Sequence, residues 1–223
     1  MGQSDVDKLI QNTLQYEYAD GLRDLQMAVV WVSIGVTSWF VFDQARVWLA
    51  FAIHLANVLG GWARWITMLL VFLPTLLGFG ALTLITYARK RWLWRESGWV
   101  RPSRSPTPRW VWVIVAAIFL VSVLLSVELY RQGLVNDLFV LKMLVAASSW
   151  ATGYYLAALG RNIGLSRYIW LGIAGGLVPT IVLFIPLTFG ETWLAVGLWW
   201  GFVSTVSGVW ALRHKMLSLS EGE

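Results

Sequence analysis

The chain has 223 residues, 58% of them apolar and 13% charged, with a formal net charge of +5. A soluble domain runs nearer about a quarter charged, and one core of this size could not hide so much apolar surface, so lipid is the expected solvent. The absence of cysteine excludes disulfides, thiolate metal sites and cysteine nucleophiles.

Residues 4–20 read as an amphipathic helix. Ser4 and Asp7 resemble a capping box, and Val6, Leu9, Ile10 and Leu14 recur at helical spacing. Asp20-Gly21 breaks it. Two readings stand: a helix resting on the inner membrane surface or on the bundle, and a docking helix for a cytosolic partner. The segment is acidic (Asp5, Asp7, Glu17, Asp20, Asp24), and no small-residue cleavage site follows the first apolar run. That run is therefore expected to stay as an anchor.

Six apolar stretches approach the roughly 20 residues that ~30 Å of hydrocarbon requires: about 25–42, 66–87, 110–130, 138–159, 168–189 and 193–212. The expected fold is one all-α membrane domain over 1–223, a six-span helical bundle. A further stretch, 47–61, is shorter; with the residues that flank it, Arg46, Asn57, Gly61 and Arg64 fall on one arc, with His54 at its edge. It reads as an interfacial helix in the headgroup plane, with a short seventh span as the alternative.

Orientation follows the basic residues. The loop 88–109 holds Arg89, Lys90, Arg91, Arg95, Arg101, Arg104 and Arg109, which places it in the cytoplasm. Counting outward, the N-terminus, the 160–167 loop with Arg161 and Arg167, and the tail with Arg213 and Lys215 also face inward. The expected location is the cytoplasmic membrane. Pro102, Pro106 and Pro108 leave 101–108 without regular structure. Trp92, Trp94, Trp99 and Trp110 interleave with the cations, a composition suited to anionic lipid headgroups, with partner docking as the alternative. No nucleic-acid-binding fold fits so short a loop.

Charged residues near the third and fourth spans suggest a clasp. If the turn centres near Leu134 or Val135, Glu128 comes level with Lys142 and Arg131 with Asp137, so each pair neutralises charges costly in lipid. A gating or substrate-sensing pair is the sharper alternative. Small residues form seams: Gly197, Gly201, Ser204 and Gly208 in the last span, Ala146, Ser149, Gly153 and Ala157 in the fourth, Gly172 and Gly176 in the fifth. Such seams let helix backbones approach closely. Pro74 and Pro179 should kink the second and fifth spans.

Enzyme signatures are sparse. His54 and His214 fall near opposite faces and could not share a metal or haem, and His54 is most simply a headgroup contact. Gly-x-Ser-x-Gly, His-Glu-x-x-His and phosphate-cradling glycine loops do not occur. No cofactor is expected.

Three segments resemble a family of uncharacterised small polytopic membrane proteins of bacteria and archaea. They are Tyr16-Glu17-Tyr18-Ala19-Asp20-Gly21-Leu22, then Arg95-Glu96-Ser97-Gly98-Trp99-Val100, then Gly201 through Ser207-Gly208 followed by Leu212-Arg213. The family's pattern in the second place is Tyr-Pro-Arg-Thr-Gly-Tyr-Val, of which the Gly-aromatic-Val ending is present. The resemblance implies the architecture and no activity. The leading expectation is a non-enzymatic regulatory, sensory or complex-forming membrane subunit, meeting lipid or a cytosolic or membrane protein partner through residues 1–24 and 88–109. A small transporter or permease subunit working through its kinked spans is the alternative.

Overall fold

The structure is a computed structural model that describes Tyr18, residues 21–88, Arg91 and residues 107–220, with side chains to His214. The helix expected over 4–20, Tyr18 excepted, lies outside these residues, as do Arg89, Lys90, Arg95, Arg101 and Arg104. The described residues form helices and no strand. They are α1 Leu22–Asp43, α2 Ala45–Leu59, α3 Ala63–Val71, α4 Leu73–Ala88, α5 Arg109–Arg131, α6 Asp137–Ile163, α7 Ser166–Leu177 and α8 Phe189–Ser220. A 3₁₀ turn over Gly60–Trp62 joins α2 to α3, and another over Val178–Leu183 extends α7.

Among the described residues, four helical segments are long and apolar enough to cross a membrane: α1, α5, Ser166–Leu183, and Phe189–His214 of α8. Ala45–Val71 and α4, bent by 55° at Phe72, make a fifth if they cross together. Several such helices give the chain the make-up of a multi-pass membrane protein. The expected count of six spans plus an interfacial helix is not reached by this measure. The 66–87 stretch is divided between α3 and α4, and 138–159 lies inside α6, which carries the buried Lys142 and many small or hydroxylated residues.

Chain breaks have local causes. Pro74 sits in the first turn of α4, where its missing N–H is tolerated, so the bend falls at Phe72 rather than at the proline itself. Pro179 stands at the start of the 3₁₀ turn, directly after α7 stops being α-helical. Asn136 caps α6 by accepting from Phe139 N at 2.9 Å, and Gly164 ends it in the left-handed region (φ 73°).

Helices α1 and α8 run antiparallel. Gly21 lies against Gly208, Gly35 against Gly197, and Asp43 against Gly190. Helix α4 returns along α1: Thr37 and Thr75 share a 2.7 Å hydrogen bond, and Gln26 donates to Thr86 at 2.9 Å. Helices α6 and α7 also pack backbone to backbone, since a Cβ on Gly153 would lie 2.5 Å from Gly172 O. The core between these pairs contains Trp31, Val145, Leu156, Leu159, Tyr168, Val196 and Trp200. By contrast, no residue of α2 is buried.

Candidate functional site

The first turn of α1 places a carboxylate where three helices meet. Gly21 adopts φ 73° and turns the chain into α1, with its carbonyl accepting from Asp24 N at 3.1 Å and Leu25 N at 3.2 Å. Glycine is required here twice over: the conformation is left-handed, and any Cβ would run into the Gly208 carbonyl of α8. The close approach sinks Asp24 completely.

Asp24 is met from two helices. Tyr168 of α7 donates its hydroxyl to Oδ1 at 2.5 Å, and Ser207 of α8 donates to Oδ2 at 2.6 Å. The Nε of Arg167 stands 3.8 Å from Oδ2, while Arg167 Nη2 donates to the Tyr18 carbonyl. The Arg167 guanidinium also lies 5.0 Å from the Tyr168 ring centroid, and the Tyr18 ring meets Tyr168 edge-on at 5.8 Å and 83°. Position in the first helical turn adds the favourable end of the α1 dipole. A carboxylate engaged by two hydroxyls and facing a guanidinium is a fastener: its lone pairs are occupied and its charge is met, the condition for burying one.

A second tether crosses the bundle centre. Trp200, fully buried, donates its indole N–H to Ser149 Oγ at 2.7 Å, and Ser149 donates to the Gly175 carbonyl at 2.9 Å. The Trp200 ring stacks on Trp31 with centroids 5.3 Å apart and planes 9° from parallel. Three helices, α6, α7 and α8, are thereby hydrogen-bonded in one chain, with α1 stacked against it.

At the opposite end, Asp43 sits on the start of α8. Thr188 Oγ1 donates to Asp43 Oδ2 at 2.5 Å and Gly190 N donates to Oδ1 at 3.2 Å. Thr188 and Glu191 form a reciprocal capping box, with Thr188 N donating to Glu191 Oε2 at 2.8 Å and Glu191 N to Thr188 Oγ1 at 3.2 Å.

The charge clasp expected between the third and fourth spans is replaced by other partners. Lys142 is buried and donates at 2.5 Å to the Ile185 carbonyl, just past the end of the α7 extension, which also accepts from Leu187 N at 2.8 Å. Glu128 points outward, 3.7 Å from Arg131 and accepting from Gln132 at 3.0 Å. Arg131 thus pairs one turn back along its own helix rather than with Asp137. The last-span seam faces α1: a Cβ at Gly197 would come 2.6 Å from Trp31 O, and one at Gly201 would strike Val32. Ser204, fully buried in that seam, has a hydroxyl without a hydrogen-bond partner among the described residues. Of the expected headgroup contacts, Arg91 donates to Tyr87 OH at 2.8 Å and Arg109 is exposed. His54 is exposed, and His214 stacks on Trp210 at 6.0 Å. Among the described residues no group of three His, Asp or Glu side chains could hold a metal ion.

Sequence reasoning missed Asp24 as a site and counted it among the acidic residues before the first span. The sequence places it directly before the apolar run, after the glycine that breaks the chain. Two of the segments that carry the family resemblance meet here: Tyr18 and Gly21 from the first, Ser207 and Gly208 from the third. No family model, no curated protein and no solved structure matches the chain, so its own residues carry the functional reading.

Proposed function

We propose that the chain is a non-enzymatic membrane subunit, regulatory, sensory or complex-forming. It crosses the cytoplasmic membrane six times, with 47–61 at the outer interface and both termini inside. The observation that carries the reading is the centre of the bundle. The space a permeant would use is filled by the fully buried Trp200, stacked on Trp31 and hydrogen-bonded to Ser149. Two buried charges fit the same reading. Asp24 and Lys142 are each engaged by protein groups from other helices, as fasteners are. The cytoplasmic face, residues 1–24 together with the basic stretch 88–109, is the surface for anionic headgroups and for a cytosolic or membrane partner.

Affinity purification from native membranes in mild detergent tests this. The expected outcome is one protein retained in fixed proportion to the chain, and its loss on replacing Arg101 and Arg104 with Gln. A chain that purifies alone from gently solubilised membranes overturns the subunit reading.

A small transporter or permease subunit is the second reading. The 55° bend at Phe72 and the 3₁₀ turn over Val178–Leu183 favour it, since broken helices are where transporters bind and move.

A further inference from the structure

The glycines that let α6 and α7 touch also leave a hollow above the contact. Gly153, Gly172 and Gly176 have no side chains to fill it, and Trp150, Tyr154 and Leu177 stand around them as walls. The result is an open, almost wholly apolar trough of about 500 Å³ on the outer surface of the bundle. It adjoins a second hollow of about 540 Å³, with which it shares Tyr154 and Ala157 as walls. There the lining changes to Trp110, Arg161 and Asn162.

Three features of the polar end point to one ligand chemistry. Arg161 is exposed beside the hollow and carries a positive charge. The amide nitrogen of Asn162 is buried and has no hydrogen-bond partner among the described residues, a donor left for an acceptor from outside. Trp110 supplies the amphipathic ring typical of a headgroup layer. Length agrees as well. From Trp150 to Arg161 the helix rises about 16 Å at ~1.5 Å per residue, close to the ~15 Å of one leaflet's hydrocarbon.

We propose that this trough holds one anionic phospholipid of the surrounding bilayer. Its phosphate sits on Arg161 and Asn162, and one acyl chain lies along the glycine-lined part. The inference rests only on the bundle being in a bilayer, not on the chain being a subunit of anything.

Native mass spectrometry of the detergent-purified chain, offered phosphatidylglycerol and phosphatidylcholine in equal amounts, tests it. The expected spectrum shows one phosphatidylglycerol retained in preference to phosphatidylcholine and undiminished by added inorganic phosphate. Arg161→Gln, at an exposed position, should lower that retention about fivefold, the effect of one cation at a headgroup surface. Ala158→Trp, in the mouth of the polar hollow, should abolish it. Equal retention of both lipids would overturn the proposal, as would displacement by inorganic phosphate alone. Unchanged retention in Arg161→Gln overturns it too, whatever Ala158→Trp does to folding.

Discussion

Asp24 and Lys142 are both buried charges, but they are held by different means. Asp24 draws donors from α7 and α8, so removing the carboxylate strands the Tyr168 and Ser207 hydroxyls and takes a carboxylate away from Arg167. Removing one partner of a buried charged set typically costs about 3–5 kcal/mol, and losing one hydrogen bond to a charge about 1.5–3 kcal/mol. Asp24→Ala should therefore lower thermal stability in detergent more than Tyr168→Phe does, and Tyr168→Phe more than Ser207→Ala, since Ser207 is only part-buried. An Asp24→Ala protein melting with the parent would remove the fastener. None of this was legible in the sequence, because Asp24 meets its partners across 144 and 183 residues and alone reads as the end of an acidic cytosolic segment. Lys142 was legible as a charge in an apolar run, but its partner was not. The turn at Gly133 (φ 71°) sets how far along α6 the lysine lies, whereas the rotation of α6 turns it toward Ile185. Hairpin length fixes level and leaves facing undetermined.

Helices α1 and α8 show what small residues do at the scale of an element. The seam Gly197, Gly201, Ser204, Gly208 was readable as one helical face from spacing alone. Which helix it faced was not, since α1 stands at the other end of the chain. The contacts along the seam differ in kind. A Cβ at Gly197 would meet the Trp31 carbonyl at 2.6 Å and one at Gly35 the Trp193 carbonyl at 2.8 Å, and neither backbone can yield without parting the helices. At Gly201 the obstacle is a Val32 methyl, which a rotamer change can move. Gly197→Ala and Gly35→Ala should each destabilise by about 1–3 kcal/mol, the usual cost of overpacking. Gly201→Ala should cost less, and Gly80→Ala, with open space around it, should cost nothing. Thermal melts of the four variants in one detergent check the order. Equal tolerance of all four would mean that the helices are not in backbone contact. The break in the second apolar stretch was half legible: Pro74 marked the region, but a proline in a first turn bends the chain just before itself.

At the scale of the whole molecule, the hydrogen bonds constrain how many times the chain can cross. Helix α1 begins beside Thr86 and Gly208 and ends beside Thr188 and Gly190, while α4 runs back from Thr75 to Thr86 along it. The stretch between them, α2 and α3, therefore leaves from and returns to the same half of the bundle, which argues against a net crossing by 45–71. Net charge differs between the two ends. Arg23, Arg161, Arg167 and Arg213 stand with Asp24 at the end where α1 begins, whereas at the other Asp43, Glu128, Asp137 and Glu191 are offset by Arg46, Arg131 and Lys142. Basic residues in short connections are retained in the cytoplasm, so the α1-start end should face inward. Single cysteines introduced into this cysteine-free chain read the answer directly. Ser4→Cys and Ser103→Cys should resist a membrane-impermeant maleimide added to intact cells, and Gln132→Cys, exposed in the turn after α5, should react. External labelling at Ser103 with protection at Gln132 would invert the whole arrangement. External labelling at Ser4 alone would instead require 45–71 to cross, and so would contradict the pairing of Gln26 with Thr86.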